Sequence, residues 1–188
     1  MAASTITTLL LYAATTGLAE CGLVTLNDRG ALAMLYWATG GPYWKQSWPI
    51  NDAYSDPCRD SWYGVHCNFE GNIVLLRLAN NGLTGYLPPT FARLSALEEL
   101  DVSSNALTQS VPATLGRLGA LRVLRLDQNA LTGVVPPSLS TLSLLEVLRL
   151  EGNAFSAPLP TAIYNLQAKG HGTVSWDAAL TPLAIDAQ

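Results

Sequence analysis

A segment of 24 residues recurs four times without interruption between Ile73 and Ala168. Four prolines and two sets of four leucines keep this spacing, as do four asparagines: Asn81, Asn105, Asn129 and Asn153. A fixed period of this length is typical of a solenoid, in which each repeat buries its apolar side only by stacking on its neighbours. Four repeats exceed the minimum of about three that such a stack needs.

Each repeat contains the parts of one solenoid turn. Leu100 and Val102 alternate with a polar residue, as expected for a short strand with one buried face. The asparagine three residues later can satisfy backbone groups that a bend leaves unpaired, so stacked repeats would form an asparagine ladder. The following proline fixes φ and ends the turn in an extended segment. An apolar residue follows the proline in each repeat, and a leucine lies three positions after it. These residues are predicted to fill the outer side of the solenoid: Phe91, Leu115, Leu139 and Ile163.

The repeat pattern LxxLxLxxNxLxGxxPxxLxxLxx resembles the plant-type leucine-rich repeat, as in receptor-like kinase ectodomains and polygalacturonase-inhibiting proteins. The resemblance covers residues 73–168. It implies an α/β solenoid, a right-handed leucine-rich-repeat superhelix with a parallel β-sheet on its concave face and a disulfide-bearing cap before the first repeat. Two repeats depart from the pattern, because Gln109 and Ala157 stand where the others have Gly85 and Gly133. The local turn geometry is open at those two positions, whereas the predicted fold is unaffected.

Residues 1–19 are interpreted as a secretory signal peptide. An apolar run from Ile6 to Ala14 is followed by small residues that suit cleavage before Glu20. No Lys or Arg precedes the run, so an uncleaved apolar strand or helix is the alternative. After cleavage, Cys21 would lie beside the N-terminus, where it could pair with another chain or stay free. A signal peptide predicts a secreted protein, located at the cell wall or cell surface.

Residues 20–72 are predicted to form the N-terminal cap. A solenoid needs such a cap because its first strand otherwise offers an open apolar end and an unpaired edge. A helix is expected to begin at Asn27 or Asp28 and to stop at Gly40, Gly41 and Pro42. Its inward face would carry four side chains at helical spacing: Ala31, Leu32, Leu35 and Tyr36.

Two cysteines of the cap, Cys58 and Cys67, are nine positions apart. In a chain with a predicted signal peptide this suggests a disulfide. A zinc site is the rival interpretation, but it would need more ligands nearby than His66 alone. The string DPCRDSWYGVHC that contains both cysteines also resembles the cap that precedes plant-type repeats.

The last segment, residues 169–188, differs from the repeats. The resemblance implies a C-terminal cap, often with a cysteine pair, and this segment has no cysteine. Four apolar residues are expected to fold over the last repeat and to cover part of it: Trp176, Leu180, Leu183 and Ile185. An uncovered last repeat would instead be available for association with another chain. The segment has no apolar run long enough to span a membrane.

Charge and motif content argue against several classes of function. The chain has 10 basic and 14 acidic residues and no basic run, so nucleic-acid binding through a basic patch is not expected. His66 is expected to have a structural place in the cap, and His171 lies near Ser175 and Asp177. Such local crowding does not make a catalytic triad. No metal-ligand spacing, P-loop or kinase signature occurs, so we expect no catalytic residues, no cofactor and no metal.

The predicted sheet presents side chains between and after its buried leucines. A ligand site on this concave face would comprise Arg77, Asp101, Ser103, Val123, Arg125, Asp127, Val147, Arg149 and Glu151. In one interpretation these charges only solvate the sheet and pair with one another, with Asp101 between Arg77 and Arg125. The exposed valines beside arginines favour instead a protein or peptide ligand, whose carboxylate an arginine could bind in a bidentate manner.

The sequence therefore predicts an extracellular, non-enzymatic recognition module that acts in signalling or defence. Its partner would be a protein, a peptide or a cell-wall polysaccharide. Two alternatives stay open: a short structural or scaffold protein, and a truncated ectodomain of a receptor-like kinase. A tail that covers the last repeat would favour recognition, whereas an exposed apolar last repeat would favour the alternatives.

Overall fold

Strands and short helices alternate along the chain with the period of the repeat. The computed structural model describes residues 28–156, 158–168 and 173–180. Its helices are α1 (Asp28–Ala38) and α2 (Thr161–Ala168). Its strands are β1 (Val65–Cys67), β2 (Ile73–Arg77), β3 (Thr84–Gly85), β4 (Glu99–Asp101), β5 (Ala106–Leu107), β6 (Val123–Arg125), β7 (Thr132–Gly133), β8 (Val147–Arg149), β9 (Ala154–Phe155) and β10 (Thr173–Ser175). Short 3-10 helices cover Gly41–Tyr43, Pro89–Arg93, Ala113–Arg117, Pro137–Thr141 and Ala178–Leu180.

One six-stranded sheet runs through the molecule in the order β1-β2-β4-β6-β8-β10. From β2 onward neighbouring strands are parallel, and one cross-strand column holds Leu76, Leu100, Leu124 and Leu148. These leucines are 24 residues apart and fully buried, so the sequence period is the register of the sheet. The predicted solenoid with a parallel sheet is confirmed.

The core lies between this sheet and the 3-10 helices on the opposite side of the solenoid. The predicted outer residues are all buried: Phe91, Leu115, Leu139 and Ile163. Burial of each such side chain stabilises the fold by about 2 kcal/mol. Prolines in extended conformation precede the 3-10 helices, as expected from their fixed φ: Pro88, Pro112 and Pro136.

The asparagine ladder is present and joins consecutive repeats. The Nδ2 group of Asn105 donates to the carbonyl oxygen of Val102 in its own repeat and to that of Leu78 in the preceding one, both at 2.9 Å. Its Oδ1 accepts from the backbone N–H of Asn81 at 3.0 Å and of Leu83 at 2.9 Å. Asn129 and Asn153 donate in the same way, and each accepts from one backbone N–H group, that of Leu107 and that of Leu131. One side chain thus satisfies backbone groups of two turns at once.

The turn that follows the ladder needs a left-handed residue. Gly85 and Gly133 take φ values of 74° and 76° there, and Gln109 adopts the same conformation with φ 64°. The stacked backbone therefore imposes the turn even where glycine is absent, at a cost of about 1–2 kcal/mol for a residue with a Cβ. Ala157 lies outside the described residues.

The cap packs an aromatic cluster beneath α1. The helix spans Asp28–Ala38 and buries the four predicted residues of its inward face. Gly40 follows with φ 72°, which confirms the predicted stop. Four aromatic rings then contact one another, mostly edge to face, with centroid separations of 4.8–6.3 Å: Tyr36, Trp44, Trp48 and Trp62. Such a cluster supplies the large apolar surface that closes the first repeat.

Two further features attach the cap to the repeats. The predicted disulfide between Cys58 and Cys67 is present, with a Cα–Cα distance of 5.6 Å. Cys67 ends β1, which pairs antiparallel with β2 and was not predicted from the sequence. The first ladder asparagine, Asn81, turns to the cap, since its Oδ1 accepts from Gln46 N at 2.7 Å and its Nδ2 donates to Gln46 O at 3.1 Å.

The tail adds a strand to the sheet instead of only lying over the last repeat. β10 pairs in parallel with β8, so Val174 lies beside Leu148. Leu180 and Trp176 pack against the core as predicted, and Leu159 N donates to Leu180 O at 2.8 Å. Leu183 and Ile185 lie outside the described residues, as do the predicted signal peptide and Cys21. The described part of the tail thus covers the fourth repeat.

Candidate functional site

The concave face is the side of the main sheet that points away from the core. Strand pairing places Leu75, Glu99, Val123 and Val147 in one column. The adjacent column holds Arg77, Asp101, Arg125 and Arg149. A third set follows the strand ends: Ser103, Asp127 and Glu151. The register therefore brings the nine candidate residues onto one face, where aliphatic, cationic and anionic groups lie a few strand spacings apart.

Arg77 is held by Glu99. Its Nε donates to Oε1 at 2.8 Å and its Nη2 donates to Oε2 at 2.7 Å, a bidentate pair. The predicted pairing of Arg77 with Asp101 is therefore wrong, because the long arginine side chain reaches across to the neighbouring column instead of along its own. These hydrogen bonds lower the pKa of Glu99 below its ordinary value.

Asp101 is buried at the centre of the face, with 8% of its surface exposed. Its Oδ1 accepts from the backbone N–H of Ser103 at 3.0 Å and from the Ser103 hydroxyl at 2.6 Å. Its Oδ2 lies 3.5 Å from an Nη1 of Arg125, so the predicted pairing on that side is confirmed. Ser103 thereby fixes the position of the Asp101 carboxylate, which in turn contacts Arg125.

Arg125 and Arg149 lie directly opposite each other on neighbouring strands. Like charges in this position repel, and each guanidinium has only a loose carboxylate contact. Arg125 lies 3.5 Å from Asp101, and Arg149 lies 3.9 Å from Glu151. Their side chains are 41% and 45% exposed. Two partly exposed cationic groups thus lie beside the half-buried Val123 and Val147.

Asp127 lies in an unusual electrostatic setting. Its Oδ1 is buried and has no hydrogen-bond partner among the described residues, and the same holds for Nε of Arg125. Burial raises the pKa of the Asp127 carboxyl, and the carboxylates of Glu151 and Asp101 raise it further. Glu151 itself accepts from the Ser175 hydroxyl at 2.6 Å. Two guanidiniums and the carboxyl groups of Asp101, Asp127 and Glu151 thus lie together at this edge of the face.

His66 belongs to this face, although we expected a structural place for it in the cap. Antiparallel pairing of β1 with β2 sets His66 opposite Leu75, and its side chain is exposed. The alternation of buried Val65 with exposed His66 is a strand pattern that could have located it. At the other end, Thr173 extends the aliphatic column next to Val147. Both residues were missed because neither belongs to the 24-residue period.

The repeats are similar to segments of known proteins. A leucine-rich-repeat family model matches residues 71–131. The fold is a leucine-rich-repeat solenoid. A probable leucine-rich repeat receptor-like protein kinase of Arabidopsis thaliana is 36% identical over 67 residues, which are 36% of this chain and 6% of that kinase. This chain spans only 5–11% of the length of the curated relatives that it matches. The matches to kinases lie in their leucine-rich repeats.

Solved leucine-rich-repeat ectodomains have the same architecture. The ectodomain of the receptor kinase SOBIR1 from Arabidopsis thaliana superimposes with a TM-score of 0.65 and 25% identity, covering 82% of this chain and 92% of that one. The PEPR1–AtPEP1 structure superimposes with a TM-score of 0.67 and 29% identity, covering 75% of this chain and 20% of that one. The plant peptide hormone receptor RGFR1 in complex with RGF2 superimposes with a TM-score of 0.50 and 31% identity, covering 58% of this chain and 20% of that one. The predicted resemblance to plant-type leucine-rich-repeat proteins is confirmed.

The chemistry of the concave leucine-rich-repeat face suits binding. It combines partly satisfied charges with an aliphatic strip on a rigid sheet. Within the described ranges, no three His, Cys, Asp or Glu side chains are grouped so that they could hold a metal ion. A separate finding concerns membranes: in the same part of the chain, no helix has the length and apolar character to cross a bilayer.

Proposed function

We propose that this protein is an extracellular recognition module that binds a protein or peptide segment on its concave face. The binding surface comprises Arg77, Asp101, Ser103, Val123, Arg125, Asp127, Val147, Arg149 and Glu151, with His66 and Thr173 at its ends. The ligand would lie across the strands and present a carboxylate to Arg125 and Arg149. Its apolar groups would rest on Val123 and Val147.

The adjacency of Arg125 and Arg149 is the observation that carries this proposal. Two like charges on facing strands destabilise a sheet unless a counter-charge lies between them. Asp101 is already engaged by Ser103, and Glu151 lies 3.9 Å from Arg149 and accepts from Ser175. A ligand carboxylate placed between the two guanidiniums would receive charge-assisted hydrogen bonds from both.

Likeness to receptor ectodomains supports the same proposal. RGFR1, a plant peptide hormone receptor, was solved in complex with RGF2, and 58% of this chain superimposes on it. The chain spans 20% of that receptor, so a peptide ligand is carried over here as part of the proposal. A polysaccharide fits the concave face less well, since none of the nine residues first named for this surface is a Phe, Tyr or Trp that could stack on a sugar.

The cap supports a place outside the cell. Disulfides persist in oxidising compartments and are rare in the cytosol, and Cys58 and Cys67 form one. We therefore propose that the chain is secreted or displayed at the cell surface. The covered fourth repeat favours recognition over a scaffold role, because Leu148 and Leu150 of that repeat are fully buried within the described part of the chain.

A peptide-selection experiment tests the proposal. The full chain would be incubated with an immobilised library of short peptides that end in free carboxylates, and the enriched peptides would be measured again as C-terminal amides. Loss of both arginines in R125A/R149A should weaken binding by about tenfold or more per charge-assisted bond. Amidation of a peptide bound through its terminus should cause a similar loss.

A matched control separates the site from net charge. R59A/R122A also removes two exposed arginines, and each of them pairs with a carboxylate that is not among the residues of the proposed surface. This variant should keep the affinity within about twofold, because surface ion pairs are worth little. Enrichment of no peptide, or equal losses in the two double variants, would contradict the proposal.

A further inference from the structure

The turn that joins β1 to β2 displays Phe69 to solvent. Its surface is 97% exposed, the highest value among the large apolar side chains of the described residues. A phenylalanine left in water contributes none of the stabilisation that burial of its ring would give. The fold therefore gains nothing from this ring, which is accessible to a partner.

The turn holds Phe69 in a fixed position. Asn68 Oδ1 accepts from the backbone N–H groups of Glu70 and Asn72, each at 3.0 Å. Asn68 N donates to Asn72 O at 2.9 Å, and Gly71 N donates to Asn68 O at 3.0 Å. Gly71 takes φ 81°, a left-handed conformation that glycine adopts without strain. Binding through Phe69 therefore needs little further ordering of the backbone.

A second aromatic ring is displayed by the loop that the disulfide joins to this turn. Tyr54 is 89% exposed. Its N–H donates to Asp52 Oδ1 at 2.9 Å, and its carbonyl oxygen accepts from Arg59 Nη2 at 2.6 Å. Arg59 follows Cys58, which is bonded to Cys67 at the end of β1. Two almost fully exposed rings on fixed backbones thus belong to one disulfide-joined part of the cap.

The same part of the cap is acidic. Between positions 52 and 72 the sequence has one arginine, Arg59, and four acidic residues: Asp52, Asp56, Asp60 and Glu70. Hydrogen bonds from the Arg59 guanidinium and from the Asp56 N–H lower the pKa of Asp60 to about 2, so this carboxylate is ionised at neutral and mildly acid pH. With His66 neutral, four carboxylates against one guanidinium give a formal charge of −3, out of −4 for the whole chain. Cations are therefore attracted to this part of the surface.

The cap already holds one arginine through acceptor oxygens and an aromatic ring. Arg29 of α1 donates to the carbonyl oxygens of Ile50 at 3.3 Å and Asp52 at 2.9 Å. Its guanidinium lies 5.7 Å from the ring centroid of Trp62, within the range of a cation–π contact. Even with Arg29 counted, the carboxylates outnumber the guanidiniums. Asp52 and Glu70 each use only one carboxylate oxygen for a hydrogen bond among the described residues, which leaves the other oxygen for a further cation.

We propose that Asp52, Tyr54, Phe69 and Glu70 form an aromatic–acidic surface that docks an arginine-rich segment of a second protein. Guanidinium groups of that segment would stack on the two exposed rings, because a guanidinium is planar and more weakly hydrated than an ammonium. The two carboxylates would accept charge-assisted hydrogen bonds from the same groups. None of these residues belongs to the concave surface, so docking here does not depend on the proposed peptide site.

The charge of the aromatic–acidic surface decides between kinds of partner. A second copy of this chain would bring the same carboxylates against it, and a nucleic acid would bring its phosphates, so both are repelled. A purely apolar pocket would accept the ring of Phe69 but would leave the neighbouring carboxylates without a partner, which is unfavourable. A basic segment satisfies the rings and the carboxylates together.

Labelled peptides of defined composition test the proposal by fluorescence anisotropy with the full chain. The probes are octa-arginine, octa-lysine and a neutral octamer of alternating glycine and serine. The wild-type chain should bind octa-arginine about threefold or more tightly than octa-lysine, and it should not bind the neutral octamer. Binding should weaken as salt screens the carboxylates, over a Debye length of about 10 Å at 0.1 M ionic strength.

Aromatic variants locate the contact. F69A should weaken octa-arginine binding about fivefold and Y54A/F69A about tenfold or more, whereas Y43A, which removes another exposed ring, should stay within about twofold. F69W should retain binding, and F69L should lose as much as F69A, because leucine is apolar but has no π-system. None of these variants should lower the thermal midpoint, since the replaced rings are almost fully exposed.

Charge variants separate the site from net charge. D52N/E70Q removes two carboxylates of the aromatic–acidic surface and should weaken octa-arginine binding about fivefold or more. E98Q/E146Q makes the same change in net charge at two exposed glutamates elsewhere, and it should stay within about twofold.

Three results would overturn the proposal. One is that octa-arginine does not bind, or binds no more tightly than octa-lysine. Another is an equal loss in D52N/E70Q and E98Q/E146Q, which would reduce the effect to net charge. The third is full binding by F69L, which would make Phe69 an apolar contact and not a partner of a guanidinium.

Discussion

Replacement of Asn105 by alanine tests how the solenoid holds its turns together. The Asn105 side chain accepts from the backbone N–H groups of Asn81 and Leu83. It donates to the carbonyl oxygens of Leu78, Val102 and Ser103 at 2.9–3.0 Å. The alanine variant would leave these groups without their partner in a turn that the neighbouring repeats enclose.

The expected loss follows from the number of groups left unsatisfied. A backbone group that loses its partner away from water costs about 1–3 kcal/mol. Two N–H groups lose their acceptor outright, whereas Val102 O keeps a bond from Asn129 Nδ2 at 3.0 Å. We therefore expect N105A to lower the free energy of unfolding by about 3–5 kcal/mol, which is large for one substitution.

Urea unfolding followed by circular dichroism measures this loss. The midpoint should fall while the slope with denaturant stays constant, which shows that stability and not compactness has changed. N51A is the matched control, because Asn51 is exposed and its side chain makes no hydrogen bond within the described ranges. The control should change the free energy of unfolding by no more than about 0.5 kcal/mol.

A second comparison uses the end of the ladder. Asn81 bonds to Gln46 of the cap instead of to a preceding repeat, and N81A should cost about 1–2 kcal/mol. The reasoning would be refuted if N105A lost less than about 1 kcal/mol, or if it lost no more than N81A. Either result would mean that water satisfies these turn groups without the amide.

Three further predictions concern stability. Hydrogen bonds from Arg77 lower the pKa of Glu99. The pair therefore stabilises the fold at pH values above the ordinary pKa of a glutamate, and this stability is lost as the pH falls through the lowered pKa of Glu99. E99Q should accordingly reduce the dependence of stability on pH in the acid range. Q109G should raise the thermal midpoint by the equivalent of up to about 1 kcal/mol, because φ 64° strains a residue with a Cβ, and an unchanged or lower midpoint would contradict this. Joint replacement of Cys58 and Cys67 by serine should cost about 2–3 kcal/mol in urea unfolding, as for closure of a short loop, and no loss would show that the aromatic cluster alone holds the cap.

The repeat region could be predicted well because every part of a turn recurs in the sequence. The spacing of the leucines is the register of the sheet, and the position of Asn105 three residues beyond the buried Val102 fixes where the ladder forms. Gln109 shows that stacking also fixes the backbone of a residue that departs from the repeat pattern. It takes the left-handed conformation of Gly85 because the stacked turns on both sides impose it, which residue preference alone does not indicate.

Features outside the period could not be derived in this way. β1 runs antiparallel to β2, so the exposure of His66 depends on a pairing that no repeat specifies. Val174 follows Leu148 two residues later than the period requires, and for that reason β10 was not recognised. The partner of Arg77 was assigned wrongly because register gives the position of a Cα but not the reach of a long side chain.

Hydrogen–deuterium exchange with a selected peptide tests the central claim most directly. The full chain would be compared with and without a peptide enriched by the carboxylate library. Binding on the concave face should slow exchange in residues 99–103, 123–127 and 147–151 while leaving the 3-10 helices on the opposite side unchanged. Slowed exchange confined to those 3-10 helices or to the cap, with none in the three strand segments, would contradict the proposed site.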